Sequence, residues 1–371
     1  MRHSRLKIQT SSNKYSIYIG TNLSNKIKTI LDNEKIFFNK VLIIYDSKIK
    51  FKEILKIKLK LRKKEVLIYK FVSNEKSKKF NTVNKIISKL LKNNFTRQDC
   101  IIAFGGGITG DLSGFVSSIY KRGIKFINIP TTLLAQVDAS IGGKTGINHE
   151  IYGKNLIGSF YPPNLVISDT NYLKSLSKKE LICGYAEIFK HSLIYSKQNF
   201  LFLEKFHKKI ISLEKNILEK AILESCKIKR SIVQKDEKEK NLRMMLNLGH
   251  TFGHAYEAAC GYKKILNHGE GVMLGIKTAI LFSLIEKKLS LNEFERINQN
   301  ILNLNFNLKL NKFFKLTDIN KLISFMKNDK KNNNSKINLV LLNRIGKSST
   351  KNSYDQKKIK NSSTRTYIIF N

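Results

Sequence analysis

The chain has 371 residues, 42% of them hydrophobic and 26% charged, enough for two domains with sizeable cores and typical of a soluble globular protein. No apolar run approaches the ~20 residues that cross a bilayer, the longest candidate at 271–285 is interrupted by Lys277, and the basic N-terminus lacks a secretory core, so a cytoplasmic location without a membrane partner is expected. The net charge of +40 comes from lysines spread along the whole chain and outnumbering arginine by more than five to one; base readout leans on Arg forks, so A/T-rich codon usage explains the charge without a specific nucleic-acid partner, although an anionic small substrate would be drawn to such a field.

Residues 41–45 form a short β-branched run ending at Asp46, the pattern of a buried strand. Helical spacing over 51–61, a strand at 66–71, a helix over 81–91 and a strand at 100–104 follow. Glycines, a helix to about residue 120 and a strand at 125–129 complete a βαβαβ order. That order predicts a Rossmann-like α/β domain over 1–176, with a parallel sheet that binds ligands at the carboxyl ends of its strands. Helical period then dominates over 178–196, 199–234, 246–259 and 270–288, which predicts a mostly α-helical second domain over 177–346. Its first helix is expected to start at Ser177, an N-cap with Glu180 at capping-box spacing. Residues 332–336 read as a polar loop and 337–342 as a strand. The Ser, Asn and Lys composition of 347–371 predicts a poorly ordered tail. Cys100, Cys183, Cys226 and Cys260 are scattered singly, the pattern of reduced thiols rather than of a disulfide or C-x-x-C metal framework.

Three segments carry candidate chemistry. Phe104 and the run Gly105, Gly106, Gly107, Ile108, Thr109, Gly110, Asp111 follow a strand and open a helix. Glycines there let backbone N–H groups close on a phosphate at a helix N-terminus, although a plain strand-to-helix turn reads equally well. Residues 128–148 pack glycines, threonines and Lys144 into a run that reads as a long functional loop. In the third segment, 246–257, His250 and His254 stand four apart and share one helix face with Arg243 and Asn247. Gly249 and Gly253 are expected to leave that face open to a ligand. Taken alone, two histidines so spaced are more often ordinary surface residues than a metal or proton-transfer site.

Taken together, GGGITGD (105–111), PTTLLAQVDASIGGKTGIN (130–148), GYAEIFKH (184–191), LNLGHTFGHAYE (246–257) and HGE (268–270) make the chain resemble the 3-dehydroquinate synthases, within the sugar phosphate cyclases, over roughly 40–346. The resemblance implies a dehydroquinate synthase-like fold, NAD+ bound by the first domain and one divalent metal, Zn2+ or Co2+, bound by the second. It implies Glu187, His250 and His268 as metal ligands, a set that leaves open positions as a catalytic zinc site does. His254 with Glu239 would transfer a proton, alongside Lys144, Arg243 and Asn247. Substrate contacts would be Arg122, Asp138, Lys144, Lys154, Asn155, Lys190, Lys229, Arg243, Asn247, His254 and Lys330. The NAD+ contacts would be Asp46, Ser73, Asn74, Glu75, Lys76, Ser77, Lys78, Gly106, Gly107, Ile108, Thr109, Gly110, Asp111, Thr131, Thr132, Lys144, Lys154, Tyr172, Leu173, Lys174 and Ser175. Four positions depart from the pattern: Asn74 stands for a usual Gly, Cys183 for Asn or Ser, Asn241 for Gly, and Gly271 for Ala or Ser.

The implied reaction turns 3-deoxy-D-arabino-heptulosonate 7-phosphate, a phosphorylated sugar acid, into 3-dehydroquinate and phosphate. Its steps are transient oxidation by NAD+, β-elimination of phosphate, re-reduction and intramolecular aldol closure. A homodimer is also implied. The rivals are a sugar phosphate cyclase acting on another sugar and a metal-dependent NAD alcohol dehydrogenase of related architecture.

Overall fold

Short Val, Ile, Leu and Phe runs, apolar on both faces, specify strands buried beneath helices rather than half-solvated ones. In the computed structural model, which describes residues 3–261, 265–304, 308–327 and 336–369, such runs build the first of two compact units, residues 1–177 together with 218–238. Its elements are β1 (Ser4–Gln9), β2 (Lys14–Gly20), α1 (Ile27–Asn33), β3 (Lys40–Asp46), α2 (Phe51–Lys60), β4 (Glu65–Phe71), α3 (Phe80–Lys92), β5 (Cys100–Gly105), α4 (Gly107–Ile119), β6 (Lys125–Pro130), β7 (Lys144–His149), β8 (Gly153–Phe160) and β9 (Leu165–Asp169). Seven strands form one sheet in the order β1-β2-β9-β6-β5-β3-β4. The β1–β2 pair is antiparallel and the other pairs are parallel, so the predicted parallel sheet carries an unforeseen antiparallel hairpin at one edge.

The period of two along β3 divides the core. Val41, Ile43 and Tyr45 pack with α1 and α2, whereas Leu42 and Ile44 pack with α3 and α4. Each of these aliphatic side chains is fully buried, and burial of that kind contributes roughly 1.5–3 kcal/mol per residue. The chain steps outward from β3 to β4 and then crosses back to β5, so the topological switch point lies between β3 and β5.

Residues 128–148 are not the single loop that their composition suggested. A π-helical turn at Ala135–Ala139 leads into β7, which pairs antiparallel with β8. Gly146 and Gly158 face one another there, where a Cβ would strike the opposite backbone.

The second unit comprises residues 178–217 and 239–371. It holds α5 (Lys178–Tyr195), α6 (Lys197–Ile211), the first three residues of α7 (Lys215–Lys235), α8 (His250–Ala259), α9 (His268–Ile285), α10 (Leu291–Asn303), α11 (Ile319–Lys327), β10 (Ile337–Arg344), β11 (Lys347–Tyr354) and α12 (Gln356–Ile369). Helix α9 is apolar all round and lies in the core; among the described residues it is the one helix long and apolar enough to span a bilayer, and 78% of it is buried.

Two expectations change here. Residues 218–238, read as part of the second domain, belong to the first unit: Thr21 Oγ1 donates to Glu219 at 2.5 Å, Lys229 Nζ to Asp138 Oδ1 at 2.6 Å, and Ser11 to Glu237 at 2.9 Å. The polar stretch from 347, read as a disordered tail, forms β11 against β10 and then α12 as far as residue 369. Low hydrophobicity misled because Ile359 is fully buried and two threonines bond to the helix backbone, Thr364 Oγ1 donating to Lys360 O at 2.9 Å and Thr366 Oγ1 to Ser362 O at 2.8 Å.

Candidate active site

The carboxyl ends of β3 to β6 collect most of the residues expected to hold NAD+. Asp46 ends β3 beside Phe71 of β4, and Gly105 ends β5 beside Pro130 of β6. Gly106 caps α4, so Gly107, Ile108, Thr109, Gly110 and Asp111 form its first turns; Gly110 N–H closes on Gly106 O at 3.1 Å, and the N–H groups before it stand at the helix end that favours a phosphate. Room is tight: a Cβ on Gly106 would come within 3.2 Å of Thr132, and Thr131 N–H is bonded to Gly105 O at 2.9 Å. Ser73 follows β4 and receives Thr109 Oγ1 at 3.4 Å. Tyr172 packs edge-on to Phe104 at 4.9 Å between ring centroids. Leu173 is buried in the core, whereas Lys174 and Ser175 on the same turn are exposed.

The loop carrying Asn74, Glu75, Lys76, Ser77 and Lys78 needs no glycine. Asn74 has φ −149°, ordinary extended backbone, and its side chain accepts Ser77 N–H at 2.9 Å while Ser77 Oγ accepts Asn74 N–H. Asn241, at φ −148° and ψ −79°, also lies outside the left-handed region that favours glycine. Lys78 is buried and joins two expected contacts, donating to Asp111 at 2.6 Å and to Asn155 at 2.5 Å. Lys154 lies 3.8 Å from Glu75, and Asn148 donates to Glu75 at 2.7 Å, so hairpin β7–β8 braces this loop. Lys144 begins β7. Arg122 follows α4 in a left-handed conformation, φ 64°, directly after Lys121 at φ 47°. Asp138 and Lys229 form an ion pair in which the lysine is buried.

The second unit gathers the expected metal ligands. Glu187 lies on α5 and is completely buried; His250 and His268 are the first residues of α8 and α9. Their candidate ligand atoms lie within 4.8 Å of one another. Glu187 Oε1 stands 3.5 Å from His250 Nε2 and 3.7 Å from His268 Nε2, and it accepts no hydrogen bond. Lys190, one turn along α5, is also buried and pairs with Oε2. The far nitrogen of each imidazole is engaged: His250 Nδ1–H donates to Leu248 O at 3.2 Å and His268 Nδ1–H to Glu257 Oε1 at 2.8 Å. Both Nε2 atoms are thereby turned toward the carboxylate, an arrangement of ligand atoms that fits a divalent cation once His268 Nε2 has lost its proton.

Electrostatics agree. Burial opposes ionisation of Glu187, but Lys190, His250 and His268 outweigh it and hold the carboxyl well below its usual range. Burial, reinforced by Lys190, keeps His250 well below the ordinary imidazole value and hence neutral. Burial also works against a charge on His268, yet the neighbouring carboxylates of Glu187 and Glu257 carry it well above the ordinary value. The cage therefore favours a positive charge at its centre.

The expectation of one continuous helical face from Arg243 to His254 is corrected. Arg243 and Asn247 lie on a separate 3-10 turn, Leu242–Asn247, and Gly249 at φ 76° breaks the chain before α8 begins. Nor do the two glycines open the His face. A Cβ on Gly253 would stand 2.8 Å from Gly271 O, and one on Gly249 would stand 2.7 Å from Ile276 N. They let α8 lie directly on α9, which carries His268 to His250; the two rings are 5.5 Å apart. His254 is exposed, with its ring 5.3 Å from that of His250. Asn247 Nδ2 reaches Glu239 at 3.3 Å, and Glu239 has φ 56°. Cys183 keeps a polar contact despite replacing Asn or Ser, because Gly269 N–H donates to its sulfur at 3.1 Å; burial pushes its thiol up to about 11. Lys330 lies outside the described residues.

Sequence reasoning passed over Glu257, although it stands seven residues beyond His250 on the same helix face.

Models of the 3-dehydroquinate synthase N-terminal and C-terminal regions match residues 68–183 and 184–332. A 3-dehydroquinate synthase of Pelagibacter ubique is 53% identical over 356 residues, covering 96% of each chain. Among solved structures, 2-deoxy-scyllo-inosose synthase complexed with carbaglucose-6-phosphate, NAD+ and Co2+ superposes with a TM-score of 0.88 at 24% identity, covering 98% of this chain and all of that one. A 2-epi-5-epi-valiolone synthase from Streptomyces hygroscopicus subsp. jinggangensis 5008, with NAD+ and Zn2+ bound, gives a TM-score of 0.83 at 23% identity over 99% of both. At such identities these two share the fold.

Proposed function

The chain belongs to the 3-dehydroquinate synthase family, and from that premise we propose how its residues divide the conversion of 3-deoxy-D-arabino-heptulosonate 7-phosphate to 3-dehydroquinate and phosphate. The activity is a lyase reaction of the shikimate pathway, on the route to aromatic amino acids. One observation supports the residue-level reading most: the buried, unbonded Glu187 Oε1 faces the Nε2 atoms of both His250 and His268.

On this reading Glu187, His250 and His268 hold one divalent metal, Zn2+ or Co2+. Asp46, the 73–78 loop, the turn at Gly106 and Gly107, and Thr131 with Thr132 hold NAD+. When bound, these groups supply a Lewis acid and a reversible hydride acceptor. His254, exposed and one turn beyond His250, takes and returns the substrate's alcohol proton, helped by Glu239. Arg122, Lys144, Lys154, Arg243 and Lys330 clamp phosphate and carboxylate, which orients a flexible sugar acid. Lys190 and Lys229 add charge while buried, each made tolerable by a paired carboxylate. Family membership also leads us to a homodimer.

The deciding experiment follows phosphate release from 3-deoxy-D-arabino-heptulosonate 7-phosphate with NAD+ and Zn2+ or Co2+, before and after chelation, and identifies the product. We expect release that stops on chelation, no lasting NADH absorbance, and 3-dehydroquinate as product. A different carbocycle from a different sugar phosphate would point to another cyclase of this fold, and net NADH to a dehydrogenase.

A further inference from the structure

We infer that Glu257 is a positioning residue for metal binding: it fixes the tautomer and orientation of His268 and so sets how tightly the second unit holds its cation. The inference rests on the metal reading of Glu187, His250 and His268. Glu257 Oε1 accepts His268 Nδ1–H at 2.8 Å, which directs Nε2 at Glu187 Oε1 and makes Nε2 the nitrogen that gives up its proton to a cation. The carboxylate is 13% exposed, so solvent screens it little. Its negative charge also makes the imidazole a stronger donor.

The surroundings show why a hydrogen bond is needed there. His268 is the first residue of α9, where backbone geometry alone leaves the ring free to turn. The helix start is fixed by a reciprocal cap between Asn267 and Glu270, and Gly269 N–H is tied to Cys183. These bonds hold the backbone of His268, and none of them touches its ring. Glu257 reaches the ring from α8, across the contact that Gly253 and Gly271 make possible. A Cβ on Gly271 would come within 3.3 Å of Glu257 Cγ and 3.4 Å of Oε1; the glycine that replaces the more usual Ala or Ser therefore leaves this carboxylate its space.

The test measures Co2+ affinity of the full chain by competition with a chromophoric chelator, together with the visible Co2+ spectrum and the melting temperature. Glu257→Ala is expected to bind Co2+ about 10–100-fold more weakly than the unsubstituted chain and to alter the spectrum. Glu257→Gln keeps an acceptor oxygen for Nδ1–H while losing the charge, so it should recover the spectrum and part of the affinity. His250→Ala serves as the reference for a lost ligand. If the unsubstituted chain binds Co2+ and His250→Ala does not, the metal reading holds. Glu257→Ala and Glu257→Gln both within about threefold of the unsubstituted affinity would then overturn the positioning role, whatever the melting temperature does. If the unsubstituted chain binds no metal, the metal reading itself fails.

Discussion

The two histidines of α8 differ in kind although they are one turn apart. His250 is turned inward, with Nδ1–H on Leu248 O and Nε2 toward Glu187; His254 is exposed. His250→Ala should therefore lose bound metal and activity together. His254→Ala should keep full metal content and lose about 10²–10⁴-fold in turnover, the usual worth of a general base. Metal analysis beside kinetics on both variants checks this division, and equal metal loss in both would overturn it. Among the described residues nine that are not glycine take left-handed backbone, and three of them, Arg122, Asn155 and Glu239 at φ 64°, 55° and 56°, are implied by the resemblance; the conformation costs Arg or Glu roughly 1–2 kcal/mol and Asn less. Such conformations persist where surrounding structure enforces them, and they cluster at functional sites. Nothing in the local sequence announces them, because the sequence around Arg122 and Glu239 fits a turn of any type; motif position alone singled these residues out.

At the scale of elements, the donor set depends on how closely α8 lies on α9. The helix that begins at His250 and the glycines on its inner face were legible as a pattern, but their purpose was not: Gly249 and Gly253 make room for backbone, and only the packed partner reveals that. Gly253→Ala places a methyl 2.8 Å from Gly271 O. It should cost about 1–3 kcal/mol by overpacking and weaken metal binding as His268 is pushed from His250; thermal unfolding with and without Co2+ reads both effects. Helix α9 carries a second test. Lys277, noticed in the sequence as an interruption of an apolar run, is 4% exposed and donates to Leu308 O at 3.3 Å. Burial, with Lys309 adding to it, lowers its ammonium from 10.5 to about 8. The unfolded chain then binds more protons than the folded one between pH 8 and 10.5, so this group destabilises the fold at neutral pH and the penalty fades as pH rises through that window. Lys277→Met should raise stability at pH 7 by on the order of 3 kcal/mol or less and flatten that part of the pH profile. Equal stability of the two proteins at pH 7 and at pH 10 would refute it.

For the whole molecule, what could be read in the sequence was what is local. Alternating strand and helix periods placed Asp46 and Gly105–Gly107 at the ends of β3 and β5, and the motifs named Glu187, His250 and His268, whose candidate ligand atoms the fold brings within 4.8 Å of one another. What could not be read depends on distant pairing: residues 218–238 join the first unit through Thr21, Gln136 and Asp138, and the Ser-rich β11 is a strand only because β10 is beside it. Net charge is also a whole-molecule property, and an origin in A/T-rich codon usage would not decide its effect. A field from +40 should draw in an anionic sugar phosphate at low salt, and mobile ions should screen it once the Debye length falls below ~8 Å. Lys52, Lys58 and Lys60 on α2 are exposed and absent from the proposed contacts, so they sample the field without touching the chemistry. The variant with all three changed to Glu should raise KM by about twofold at an ionic strength of about 0.01 M, with kcat unchanged, and match the unsubstituted chain at about 0.3 M. The salt series separates this from damage to the site, because a displaced clamp residue would leave a deficit that salt does not erase. Identical KM values at low salt would mean that the charge, spread so evenly, plays no part in substrate capture.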